Sequence, residues 1–76
     1  MEELYKILME LQPSYDFVGK EGVIEEGTLD SFDLISLVTM IEEKYEVIID
    51  ALDIVPANFS SVESIAELIR NSGGMI

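Results

Sequence analysis

The residues best placed to do chemistry are Asp30-Ser31-Phe32-Asp33, a hydroxyl set between two carboxylates three positions apart. The chain has no His and no Cys. It therefore lacks the commonest general base and metal ligand, and it has no thiolate nucleophile, thiolate metal site or disulfide framework. Carboxylate pairs alone can do acid–base work, but no second functional group accompanies them, so catalysis is the weakest reading. Ser31 suits the part of a passive acceptor, a hydroxyl that another protein would modify. The bland alternative is an ordinary residue in a helical first turn, since Asp-Ser is common at helix starts. Two other chemical readings fail on their surroundings. Gly19 and Gly22 could suggest a phosphate cradle, but the spacing is wrong and no Gly-Lys-Ser/Thr follows. Glu42 and Glu46 lie one turn apart but gather no further cation ligands, so they read as a solvated acidic face.

The element that must hold Ser31 is a helix over about Ser31–Tyr45. Asp30 can cap its free N–H groups, and Asp33 sits favourably in the first turn. Leu34, Leu37, Val38, Ile41 and Tyr45 recur at helical spacing as one apolar stripe. At about 100° per residue, Phe32, Ile35, Thr39, Glu42, Glu43 and Glu46 fall on the other faces. The outer surface is therefore acidic, with two large apolar residues near its start. Ser31, at the first helical position, should be reachable from outside because the helix has not yet turned into the core.

The remaining chain supplies the elements for a small core. Leu4, Ile7, Leu8 and Leu11 make a stripe on a first helix over Glu2–Leu11, with Glu2 and Glu3 complementing the dipole and Pro13 ending it. Gln12–Leu29 is a long connection holding Phe17, Val18, Val23, Ile24 and Leu29, which should tack it over the helices. Gly27 should supply a positive φ before the second helix. Val47-Ile48-Ile49 reads as an extended link that buries Val47 or Ile49. Asp50 should cap a short helical turn through Ala51–Ile54. Pro56 and Asn58 break the pattern, and Phe59 packs inward. Ser60-Ser61-Val62-Glu63 has the spacing of a capping box between Ser60 and Glu63. It opens a last helix with Val62, Ile65, Ala66 and Ile69 on one face and Arg70 in the final turn.

With 76 residues there is room for one domain, residues 1–76, and only a small core. The formal net charge is −12, from sixteen acids against four Lys and Arg. Such a charge repels nucleic-acid phosphates and favours fast, salt-sensitive encounter with basic partner surfaces. Disorder is not expected, because 49% of the residues are hydrophobic and fall in periodic groups. No apolar run could span a bilayer and no cleavable leader is visible at Met1, so membrane insertion is not expected and a cytoplasmic protein is the simple reading.

Asp30-Ser31-Phe32-Asp33 followed by Leu34-Ile35-Ser36-Leu37-Val38 resembles the Asp-Ser-Leu motif of the acyl carrier protein family, and the likeness runs from the first helix to the last. It implies an all-α four-helix bundle with three longer helices and a short third one. It implies 4′-phosphopantetheine, taken from coenzyme A and attached to Ser31 beside Asp30, carrying acyl or aminoacyl groups as thioesters. By the same resemblance Phe32, Asp33, Ile35, Glu42, Glu43 and Glu46 would meet partner enzymes. Those partners would be a phosphopantetheinyl transferase, and adenylating ligases or synthases with basic surfaces, acting on a monomeric, non-enzymatic carrier.

Departures from the common fatty-acid pattern are Phe32 where Leu is usual, Ser36 where an acid is frequent, and Asp50 where Pro is common. Gly27-Thr28-Leu29-Asp30-Ser31 looks instead like the Gly-x-Leu-Asp-Ser of D-alanyl carrier proteins, which serve teichoic acid modification, and of some free-standing carriers. These departures put a housekeeping role in fatty acid biosynthesis in doubt and suggest a specialised discrete carrier, so the resemblance implies a fatty-acid or specialised acyl pathway, with a D-alanyl carrier as the alternative. The rival from another class is an acidic helical adaptor with no prosthetic group.

Overall fold

The computed structural model describes residues 2–19, 22–25 and 27–76. Among them are three α-helices, α1 (Glu2–Leu11), α2 (Ser31–Tyr45) and α3 (Val62–Asn71), and two 3-10 turns, Ala51–Asp53 and Pro56–Phe59. The all-helical class and the three expected helices are present. Where one short helix was expected, the chain makes two separate 3-10 turns. Asp50 caps the first through Leu52 N–H at 2.9 Å. Ile54 and Val55 leave helical geometry, and Pro56 then starts the second with its φ already set.

Each helix buries the stripe its sequence carries. Leu4, Ile7 and Leu8 of α1, Leu37, Val38 and Ile41 of α2, and Val62, Ile65, Ala66, Leu68 and Ile69 of α3 form one core. Leu34 and Tyr45 close the ends of the α2 stripe half-buried. Phe17 and Ile24 of the long connection and Phe59 of the second 3-10 turn complete this core, which holds no buried polar or charged residue among those described. In the link, Val47 and Ile49 are both buried and Ile48 is 86% exposed. Side chains two apart on extended backbone share a side, so both Val47 and Ile49 turn inward together.

The long connection is fastened more firmly than hydrophobic contact alone would manage. Ile24 N–H donates to Ser60 O (3.0 Å) and Val62 N–H to Gly22 O (2.7 Å), making an isolated antiparallel bridge between Val23 and Ser61. Gly22 has φ +82°, and a Cβ there would come within 3.4 Å of both Tyr5 Oη and Val62 Cβ. Glycine thus allows the backbone to approach α3 in a conformation other residues resist. Tyr15 packs on Phe17 in a tilted pair, with ring centroids 4.7 Å apart and planes at 58°, and its hydroxyl donates to Val23 O (3.0 Å). Gly27 has the expected positive φ, at +90°.

The cap of α3 falls one residue later than the Ser60–Glu63 box. Ser61 is extended (φ −157°, ψ 161°), as an N-cap must be, and its Oγ accepts Ser64 N–H at 3.0 Å. Ser60 has helical backbone and donates its hydroxyl to Ala57 O, closing the preceding 3-10 turn. Glu63 is left to pair with Arg70 at 3.7 Å.

Candidate functional site

Ser31 is the first residue of α2 and is exposed. The capping box around it is complete. Asp33 N–H donates to Asp30 Oδ1 (2.8 Å), and Asp30 N–H donates to Asp33 Oδ2 (3.3 Å). Two of the unpaired donors at the helix start are satisfied this way, which stiffens the turn on which the hydroxyl stands. A second fastening was not foreseen from the sequence. Gln12, just past α1, donates from Nε2 to the same Asp33 Oδ2 at 3.0 Å.

The outer face of α2 has the predicted character, with one exception. Phe32 and Ile35 are 76% and 63% exposed, and Thr39, Glu43 and Glu46 are exposed with them. Glu42 is half-buried instead, and its Oε2 accepts the N–H of buried Ile49 at 2.9 Å. Sequence periodicity placed Glu42 on a solvated face. The fold turns the link after α2 back alongside that face, and the link's amide needs an acceptor. Glu46 ends α2 in the left-handed region, at φ 54°. Lys44, the one cation nearby in sequence, is directed away to Glu3 at 2.9 Å. The hydrogen bond and charge of Lys44 lower the Glu3 pKa from its ordinary value, and the hydrogen bond and charge of Glu3 raise that of Lys44. Glu43 and Glu46 are consequently left without an ion-pair partner among the described residues.

An open cleft of about 400 Å³ lies beside the site, lined by Ile24, Leu29, Leu34, Pro56 and Phe59 among others. Leu29 precedes Ser31 and Leu34 follows it, so the cleft borders the segment on both sides of the hydroxyl. Val18 and Val23, expected to tack the long connection down, are instead exposed, and the exposed apolar residues Ile48, Leu52, Val55 and Met75 went unnoticed in the sequence. Alternation through Val47-Ile48-Ile49 was the available signal for Ile48. Nothing in the sequence marked Leu52, because a 3-10 turn of three residues has no period to read. Among the described residues, no helix is long and apolar enough to cross a membrane, and no group of carboxylates is arranged to hold a metal ion.

These features define a small all-helical fold with an exposed hydroxyl on a capped helix start, between a largely apolar cleft and an acidic helix face. No family model, no curated protein and no solved structure matches the chain.

Proposed function

We propose that this chain is a carrier protein of the acyl-carrier type, with its three helices and the 3-10 segment serving as the four-helix bundle of that family and Ser31 as the attachment point for 4′-phosphopantetheine. The observation that carries the reading is the exposure of Ser31 at the first position of a helix whose start is fixed by the Asp30–Asp33 box. A group of this kind needs a hydroxyl that a second enzyme can reach and a support that does not move under it. Its arm needs room beside the attachment point, and the cleft bordered by Leu29 and Leu34 offers it. When bound, the group supplies a terminal thiol that holds acyl or aminoacyl cargo as a thioester.

The chain's own part in loading is limited to presenting the nucleophile. The Ser31 oxygen attacks the β-phosphorus of coenzyme A. A phosphorus–oxygen bond forms to Ser31 and the diphosphate bond breaks. Adenosine 3′,5′-bisphosphate leaves, and the serine proton passes to a base of the transferase. Asp30 holds the helix start through its Oδ1 and keeps its second oxygen for the partner or its cation. Glu43 and Glu46, unneutralised within the described chain, together with exposed Phe32 and Ile35, suit partner surfaces that combine basic and apolar residues. Adenylating ligases of acyl or aminoacyl substrates and synthases would dock there.

Incubation with coenzyme A, Mg²⁺ and a broad-specificity phosphopantetheinyl transferase tests the reading. Intact-protein mass spectrometry should show one pantetheine addition to the wild type and none to Ser31→Ala. A wild type left unmodified, while a control carrier is modified in the same tube, would leave the acidic adaptor as the better description.

A further inference from the structure

Helices α1 and α2 are tied at both ends. At one end Glu3 meets Lys44 across 2.9 Å, with both side chains about half exposed (51% and 50%). Exposed pairs of this kind contribute little. At the other end Gln12 reaches Asp33 in a partly buried contact spanning 21 residues of sequence. Gln12 extends the last turn of α1, since its N–H donates to Leu8 O at 2.9 Å. Its backbone is therefore fixed by one helix while its side-chain amide holds the start of the other. The receiving atom is Asp33 Oδ2, which also accepts the N–H of Asp30. One carboxylate oxygen joins the end of α1, the cap of α2 and, between Asp30 and Asp33, the turn that carries Ser31.

We propose that Gln12 is a positioning residue for the Ser31 hydroxyl, acting through Asp33. This rests on the carrier reading. The first turn of a helix frays because its N–H groups lack intrahelical partners. Here the turn follows a connection whose backbone ties to Ser60 and Val62 lie at Ile24 and Gly22, upstream of Ser31. A reacting oxygen displaced by about 1 Å can cost a large part of a group-transfer rate. Without the Gln12 amide, Asp33 keeps its bonds within α2 but loses its tie to α1. The Ser31 turn then spends less time in the geometry a transferase requires. Glu43 and Glu46, farther along α2, are untouched. The loss should therefore fall on kcat and leave KM nearly unchanged.

The test compares Gln12→Met, which keeps the length of the side chain and removes its donors, with Gln12→Lys, which restores a donor. Two readouts are taken: steady-state loading by the same transferase with coenzyme A, and amide hydrogen exchange at Asp30 and Asp33 by NMR. Loss of one hydrogen bond should lower kcat for Gln12→Met by about three- to tenfold. Exchange at both amides should quicken, and Gln12→Lys should recover rate and protection together. If Gln12→Met loads with wild-type kcat, or if Met and Lys are impaired equally, the positioning role is overturned while the carrier reading stands. If the wild type is not loaded at all, the carrier reading falls and this role falls with it.

Discussion

Glu42 offers a test that separates the architecture of the acidic face from its use. Its Oε2 holds the amide of Ile49, a residue that is only 5% exposed. Glu42→Ala would remove the acceptor and strand a buried N–H. Hydrogen bonds to charged groups contribute about 1.5–3 kcal/mol, and stranding a buried donor costs about 1–3 kcal/mol. Glu42 is only half-buried, so water can reach part of the gap. The expected loss is then about 1–2 kcal/mol, against a total of about 4–11 kcal/mol for a domain of this length. That corresponds to a fall in Tm of roughly 4–16 °C. Glu42→Gln keeps a carbonyl acceptor and should lose under about 1 kcal/mol. Glu43→Ala, one residue on and exposed, should stay within about 0.5 kcal/mol of wild type. Urea titration followed by circular dichroism reads all three. Equal midpoints for Glu42→Ala and Glu43→Ala would refute the assignment, and Glu42 would return to the solvated face with its neighbours.

Tyr45 has a hydroxyl that is buried and finds no hydrogen-bond partner among the described residues. Tyr45→Phe should therefore match or exceed wild-type stability, by up to about 1 kcal/mol in a denaturant titration. Burial, followed by the field of Glu3, raises the Tyr45 pKa above its usual value, and Glu3 raises Lys44 likewise. Raised folded values give stability that is complete below the unfolded values, near pH 10, and is lost as pH climbs through the folded ones. Thermal melts should fall off above about pH 10, and less steeply in Tyr45→Phe. On the carrier reading, Glu43→Lys combined with Glu46→Lys should keep the helical spectrum, because both positions are exposed. The pair should slow loading at low salt and flatten its salt dependence. Loading at the wild-type rate at low salt would move the partner surface off this face.

Much of the molecule is local, and local structure is what a sequence states. The stripes of α1, α2 and α3 are periodic, so their buried faces follow from side-chain spacing alone. The Asp30 cap and the exposure of Ser31, Phe32 and Ile35 follow from the same register, because each depends only on where the helix begins. What the sequence left open lies in contacts between distant segments. Ser60 and Ser61 both have a capping hydroxyl. The choice fell to Ser61 because the bridge to Val23 keeps it extended, while Ser60 closes a 3-10 turn.

Glu42 was periodically equivalent to a solvated residue until the link folded back and presented the Ile49 amide. Gln12 carried no signal in its own neighbourhood, since its partner stands 21 residues away. A pattern of period 3.6 or 2 fixes which side of an element faces the core. It says nothing of which polar group from another element will arrive there. Those pairings are set when the core brings the elements together, and every buried N–H must then find an acceptor. The sequence thus determined the helices, their buried faces and the accessible serine. Tertiary packing decided which acids of α2 stay exposed and which distant side chain reaches the turn beneath the hydroxyl.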